Sequence, residues 1–233
     1  MDNSNAWVDL TESVISCHLC KRLVAWRERV AQEKRRAYKE WTYWGKPVPG
    51  FGDPQGRVLV VGLAPGAHGA NRTGRMFTGD SSGDFLYGAL HQAGFANQPT
   101  SIQREDGLQL SDLYISAVCR CVPPGNKPSA AEIGNCLPYL EREIQLMKNL
   151  TGIVALGRIA FEGTLRLLRQ LGFEIPRQPF VHGKVYKLAD LSFGSQLPWM
   201  VASYHPSRQN TQTGRLTAEM FAQVWKQVRE LLT

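Results

Sequence analysis

Three segments of this chain gather side chains that can do chemistry. The first, Gly62 to Asp80, is rich in glycine and carries Phe77 and the carboxylate of Asp80. Glycines let backbone amides come close to a bound group, so this loop can surround an anion or the edge of a base. It is not a nucleotide P-loop, because no Gly-Lys-Ser/Thr follows, and it does not match G-x-G-x-x-G either. Phe77 can offer a ring to a flat ligand or fill the core. Asp80 precedes Ser81-Ser82 and suits a helix N-cap as well as it suits catalysis. The second segment is Pro123-Pro124-Gly125-Asn126-Lys127-Pro128, in which Asn126 can contact a ligand or shape a turn. The third, Tyr204-His205-Pro206-Ser207-Arg208-Gln209-Asn210, sets an imidazole beside a run of polar probes.

The five cysteines supply a different chemistry. Cys17 and Cys20 form a C-x-x-C, and Cys121 and Cys136 form a second pair. Reducing compartments rarely keep structural disulfides, so paired spacings of this kind point to a metal. Four thiolates can hold zinc or an iron–sulfur cluster, and their softness does not separate the two. Cys119 falls at the edge of an apolar run and is not expected to be a ligand. The expected role is structural, tying an N-terminal arm to the rest of the chain.

These segments need positioning, and four short apolar runs provide it: 57–62, 113–118, 152–157 and 199–203. Each is too short for a buried helix and is bounded by Gly, Pro or polar residues, so each reads as a buried strand. Helical periodicity occupies about 81–94, 129–149, 158–171 and 217–232. The alternation predicts an α/β fold, a three-layer α/β/α sandwich around a central, mainly parallel four-stranded sheet. Ligands bind at the carboxyl ends of the strands in such sheets, which is where all three loops fall. The stretch 177–196 is expected to add a strand or hairpin, and His182 within it is given no role.

Composition narrows the class. The 233 residues suit one domain, 43% of them are hydrophobic and 20% charged, and no run approaches a membrane span. Without a signal peptide at Met1-Asp2-Asn3-Ser4-Asn5, the chain is expected to be cytoplasmic and monomeric, with no membrane partner. The net charge is +7, and residues 21–46 hold nine basic side chains against three acids. A basic face of this kind attracts polyanions, nucleic acid above all, although a solvated helix face would look the same.

In order and combination, these motifs resemble the uracil-DNA glycosylase superfamily. The motifs are Gly62-Leu63-Ala64-Pro65-Gly66 with Phe77, the four-cysteine layout, the Pro-Pro-Gly-Asn-Lys-Pro loop and His205-Pro206-Ser207-Arg208-Gln209-Asn210-Thr211. The likeness is nearest to the fifth, iron–sulfur-containing family, and it runs from about Cys17 to the last helix. It implies a single domain over 1–233, with a basic arm (1–56) that contributes two of the cluster cysteines. It also implies a monofunctional hydrolase that flips a deaminated nucleotide out of DNA and cleaves its N-glycosidic bond.

By that resemblance Cys17, Cys20, Cys121 and Cys136 would hold a structural 4Fe-4S cluster, zinc remaining open on spacing alone. His205 would donate to the base carbonyl that gains charge, Phe77 would stack on the flipped base, and the backbone at Gly62, Ala64 and Gly66 would contact the base or a phosphate. Arg208, Gln209 and Asn210 would grip DNA beside the lesion. Better-known members carry an acid or amide where this chain has Leu63-Ala64, and a base-reading Asn where it has Ala117. Asp80 therefore becomes the candidate for water or cation stabilisation, and Asn126 the candidate for base contact. A pocket without a dedicated uracil-reading amide is expected to accept hypoxanthine and xanthine as well as uracil, in double-stranded and also single-stranded DNA. The alternatives are a non-catalytic, metal-stapled DNA-binding protein of the same fold and a hydrolase or transferase acting on free nucleotides.

Overall fold

The computed structural model describes residues 3–188 and 199–233. Two helices open the chain, α1 (Asn3–Ile15) and α2 (Lys21–Glu33), followed by strands β1 (Phe51–Gly52) and β2 (Val58–Gly62). Next come α3 (Ala70–Thr73), α4 (Ser81–Gln92), β3 (Leu113–Ala117), α5 (Ala130–Leu146), β4 (Gly152–Leu156) and α6 (Arg158–Gln170). The chain ends with β5 (Val185–Lys187), β6 (Trp199–Ser203), α7 (Arg208–Gln212) and α8 (Ala218–Leu231). α4, α5, α6 and α8 lie within a few residues of the periodicity that predicts them.

All six strands form one sheet in the order β1-β3-β2-β4-β6-β5. The inner four are parallel, as expected; β1 and β5 add antiparallel edges, so the sheet is mixed and six-stranded rather than four-stranded. Phe51-Gly52 and Val185-Tyr186-Lys187 are too short to show a period, and their extended form comes from pairing with a neighbour. β5 lies inside the stretch expected to form a strand or hairpin; its residues 189–196 fall outside the described ones.

The inner strands are buried along their whole length, which is why they read as continuous apolar runs rather than alternating ones. Alternation still sorts their side chains: Val58 and Val60 face the layer of α4 and α8, with Leu86, Leu90, Phe221 and Trp225. Leu59 and Val61 face α5 and α6, with Leu140, Phe161 and Leu168. α1 lies outside that second layer, where Ala6, Leu10 and Val14 pack on Leu146 of α5.

Local chemistry fixes where the helices start. Ser129 and Glu132 form a complete capping box at α5, and Thr217 caps α8. Beneath the carboxyl edge, Arg120 and Glu143 pair at 2.6 Å with each side chain 1% exposed, and Ser116 Oγ donates to the same carboxylate at 2.6 Å. Breaking such a pair from one side strands a charge in the core. Glu143→Ala should therefore lower unfolding free energy by about 3–5 kcal/mol in urea titration, and a loss under about 1 kcal/mol would reject this account.

Candidate active site

The loop from β2 to α4 leaves the sheet at Gly62 and returns at Asp80. Phe77 sits in it at φ +51°, a left-handed conformation that costs energy for a bulky residue. Its ring lies over the end of β2, so close that a Cβ on Gly62 would stand 2.9 Å from it. One aromatic face stacks on His205, centroids 5.6 Å apart and planes 27° apart. Residues from the first and third loops therefore meet at the carboxyl ends of β2 and β6. Aromatic contact needs roughly 3.5–4 Å on each side, so the two rings leave no room for a base between them.

His205 follows β6. Asn210 Nδ2 donates to its carbonyl at 2.8 Å, and Gly157 (φ +96°) lets its Cβ pass, since a side chain at 157 would meet it at 3.2 Å. The ring nitrogens make no hydrogen bond among the described residues, which leaves them available to a ligand. Burial of the ring pushes its pKa down to about 4, so His205 is neutral at physiological pH and can present an N–H without carrying charge. On one side it borders a cavity of about 330 Å³ lined by Leu63, Gly157, Arg158, Phe180, Tyr204 and Arg215, among others. Tyr204 is stacked on His182 (4.8 Å, 1°), the residue given no role, and Arg158 and Arg215 lie over the Phe180 and Tyr204 rings. A larger cavity, about 620 Å³ between α1 and Pro54-Gln55, is lined by other residues entirely.

Asp80 takes the capping role that the sequence allows. Its Oδ1 accepts from the amides of Ser82 (3.0 Å) and Gly83 (3.1 Å), capping α4. Its Oδ2 lies against the turn: a Cβ on Gly66 or Gly69 would fall 2.5 or 1.9 Å from it. Burial raises its pKa, offset in part by those two amide donors. Ala64 and Gly66 are half-buried on this loop, and Gly62 is buried.

The remaining candidates lie further out. Asn126 is exposed in a 3-10 turn (Pro124–Asn126) at φ +57°, and its side chain has no hydrogen-bond partner among the described residues. Arg208 and Gln209 are exposed at the start of α7, which Ser207 caps, whereas the Asn210 amide is engaged in holding His205. Sequence reasoning missed Arg72. Its Nε and Nη2 donate to the carbonyls of His68 and Gly79, both at 2.8 Å, closing the first loop on itself. It also missed Phe180, Arg158 and Arg215 around the cavity, because single aromatic or basic residues carry no pattern.

The cysteines draw together four parts of the chain. Cys17 lies in the turn after α1, Cys20 just before α2, Cys121 beyond β3 and Cys136 on α5. Arg27 Nη1 donates to Cys121 Sγ at 3.1 Å and to the Cys17 carbonyl at 3.2 Å, and Asn135 Nδ2 donates to Cys20 Sγ at 3.4 Å. Burial, then the charges of Cys136 and Cys17, pushes Cys121 up to about 12 despite Arg27. The Cys119 thiol donates to Cys136 and lowers its pKa. β3 ends at Ala117, so strand alternation does not govern Cys119. Among the described residues no three Cys, His, Asp or Glu side chains converge tightly enough for one metal ion. Arg27 Nε and Arg120 Nε and Nη1 are buried donors without acceptors beside these thiols. An anionic tetrathiolate group would add negative charge beside these donors, so the donor set fits such a group.

Comparison with known proteins adds a second line of evidence. Residues 49–229 match the model of the uracil DNA glycosylase superfamily. The chain is 50% identical over 220 residues to the Type-5 uracil-DNA glycosylase of Thermus thermophilus, covering 94% of this chain and 95% of that protein. It is 50% identical over 224 residues to the Type-5 enzyme of Mycobacterium leprae, covering 96% and 94%. The Type-4 uracil-DNA glycosylase of Pyrobaculum aerophilum is 32% identical over 166 residues, or 71% and 74% of the two chains. The enclosed imidazole makes its own prediction: in an NMR pH titration His205 should titrate near pH 4, and a midpoint near the ordinary 6.5 would reject the burial assigned to it.

Proposed function

The chain belongs to the uracil DNA glycosylase superfamily and is a glycosylase that excises uracil from DNA, and we propose that it does so from a pocket built on Phe77 and His205. The observation that carries this reading is their contact at the ends of β2 and β6, with His205 neutral and both ring nitrogens open. A flipped uracil replaces His205 on the Phe77 face, and His205 swings to the base edge and donates its N–H to the carbonyl oxygen. The C1′–N1 bond breaks, its electron pair goes to the base, and the sugar becomes oxocarbenium-like. A neutral donor suits this step, since it stabilises growing negative charge in a site shielded from water. Asp80, held by two amides and the Gly66–Gly69 turn, sets a carboxylate beside the loop to stabilise the cationic sugar or to orient water. Water then adds to C1′ through its oxygen and gives up one proton, the anionic base takes up a proton, and an abasic site and free uracil result.

Hypoxanthine and xanthine are the further substrates. No side-chain amide stands at Leu63-Ala64 or Ala117 to read uracil alone, and the cavity beyond His205 gives room for a larger ring. Asn126 reaches the base from its left-handed turn, and Arg208 and Gln209 grip the backbone of double-stranded or single-stranded DNA. The protein acts as an intracellular monomer; among the described residues no helix is long and apolar enough to cross a membrane. A non-catalytic DNA binder, or an enzyme of free nucleotides, gives the Phe77–His205 pair and Asp80 no comparable task.

Cys17, Cys20, Cys121 and Cys136 are the residues that would hold a 4Fe-4S cluster. A single zinc draws its sulfurs to within about 3.8 Å of one another, whereas a cluster accepts a wider spread. When bound, the group supplies a cross-link between the α1–α2 turn, the segment after β3 and α5. The unpartnered donors of Arg27 and Arg120 support its negative charge. Native preparation should give a brown protein carrying iron and inorganic sulfide, and a colourless, zinc-loaded one would favour zinc.

A duplex with one uracil opposite guanine tests the reaction itself: alkali should cleave it at that position alone after incubation with the protein. His205→Ala should slow single-turnover excision by about 10²–10³ with DNA affinity unchanged, the size expected for loss of one preorganised donor. Unchanged excision by the variant would remove His205 from the chemistry. Duplexes carrying hypoxanthine or xanthine, run alongside, decide the base range.

A further inference from the structure

The most basic stretch of the chain takes no part in the site described so far. Residues 34–46 carry Lys34, Arg35, Arg36, Lys39 and Lys46 against a single acid, Glu40. Arg35, Arg36, Lys39 and Lys46 are exposed, and none of the five is in an ion pair among the described residues. Charge of one sign held at this density without counter-charge favours a polyanion.

The stretch is also tightly seated. Arg72, 3% exposed, lies 4.0 Å from the centroids of both Tyr38 and Trp41, in the corner of two edge-to-face rings. The Trp44 and Gly45 amides donate to the carbonyls of Arg72 (2.9 Å) and Asn71 (3.0 Å), and Tyr43 Oη meets His68 Nδ1 at 3.1 Å. Every one of these partners lies on the loop that presents Phe77 and Asp80. The free cations are therefore built onto that loop, while Arg208 and Gln209 stand on α7, which follows His205. A solvated helix face needs no such mooring.

We propose that residues 34–46 form a second DNA-binding bank, in which Arg35, Arg36 and Lys39 neutralise backbone phosphates of the duplex beside the flipped nucleotide. This rests on the glycosylase reading and extends it: the substrate is clasped from both sides of the pocket, and the arm supplies affinity that does not depend on sequence. Phosphate contacts carry a measurable signature, because each one released lowers the slope of log affinity against log salt by about 0.9 on duplex DNA.

The experiment compares wild type, Arg35→Ala/Arg36→Ala/Lys39→Ala and a charge control, Lys148→Ala/Lys226→Ala, for binding to undamaged and uracil-containing duplexes across a salt series. Single-turnover excision at saturating protein is measured in parallel. The triple variant should lose about 2–3 in salt slope and bind both duplexes roughly tenfold or more weakly, with its saturated excision rate unchanged. An unaltered slope, or a loss matched by the control, overturns the proposal and leaves the patch free for another partner. Undamaged DNA reports on the bank alone, so absence of uracil release by wild type would strike the glycosylase reading without deciding this one.

Discussion

A buried guanidinium cannot be left without acceptors, and four of them organise the catalytic edge of this protein. Arg27, Arg72, Arg75 and Arg120 are each no more than 3% exposed. Arg always carries its proton, so each must find oxygen or sulfur where it lies. Arg27 takes Cys121 and the Cys17 carbonyl, joining the N-terminal helices to the segment after β3. Arg72 takes the carbonyls of His68 and Gly79, and Arg120 takes Glu143. Arg75 takes Asp106 in a two-pronged pair at 2.8 Å, plus Thr78, and its hydrogen bonds, with three backbone amides, hold Asp106 down to about 2 against burial. The loops above the sheet place only some of their apolar side chains, among them Val48, Met76 and Phe77, against the core. Directional polar contacts do for them what packing does for the layers below.

The parts of the fold legible in the sequence are those that packing dictates. β2, β3, β4 and β6 show as apolar runs because both faces of the sheet are covered, and α4, α5, α6 and α8 show as periodic stretches because each buries one face. The edge strand β1 was not legible, since two residues carry no period, whereas β5 falls inside the stretch 177–196 that was expected to add a strand or hairpin. The helical character of the arm was hidden as well: charge dominates residues 21–46 and masks Leu23, Arg27 and Val30, the buried positions of α2. At the site, His205, Phe77 and Asp80 announced themselves through neighbours of unusual composition. Arg72 did not, because its importance lies in carbonyls and rings brought to it by folding.

Strain marks the same region. Of the four residues other than glycine with positive φ among the described residues, two are Phe77 and Asn126, both singled out for function. Asn tolerates that conformation and shapes turns with it, so its case alone is weak. Phe77 has no such excuse. The surroundings hold it there: Tyr87 Oη and Thr78 Oγ1 both bond the Met76 carbonyl, and Gly83 lacks the side chain that would strike the Phe77 carbonyl at 1.8 Å. A ring locked in this way keeps its orientation when its partner leaves.

That partner is His205, so one face of Phe77 is covered by a piece of the protein. Stacked aromatic pairs gain about 0.5–1.5 kcal/mol beyond burial, and a base taking the Phe77 face as proposed would forfeit that contact before gaining its own. In the proposed reaction the pair acts as an internal competitor for the Phe77 face. Exchange of one aromatic partner for another would then come ahead of any hydrogen bond that reads the identity of the base.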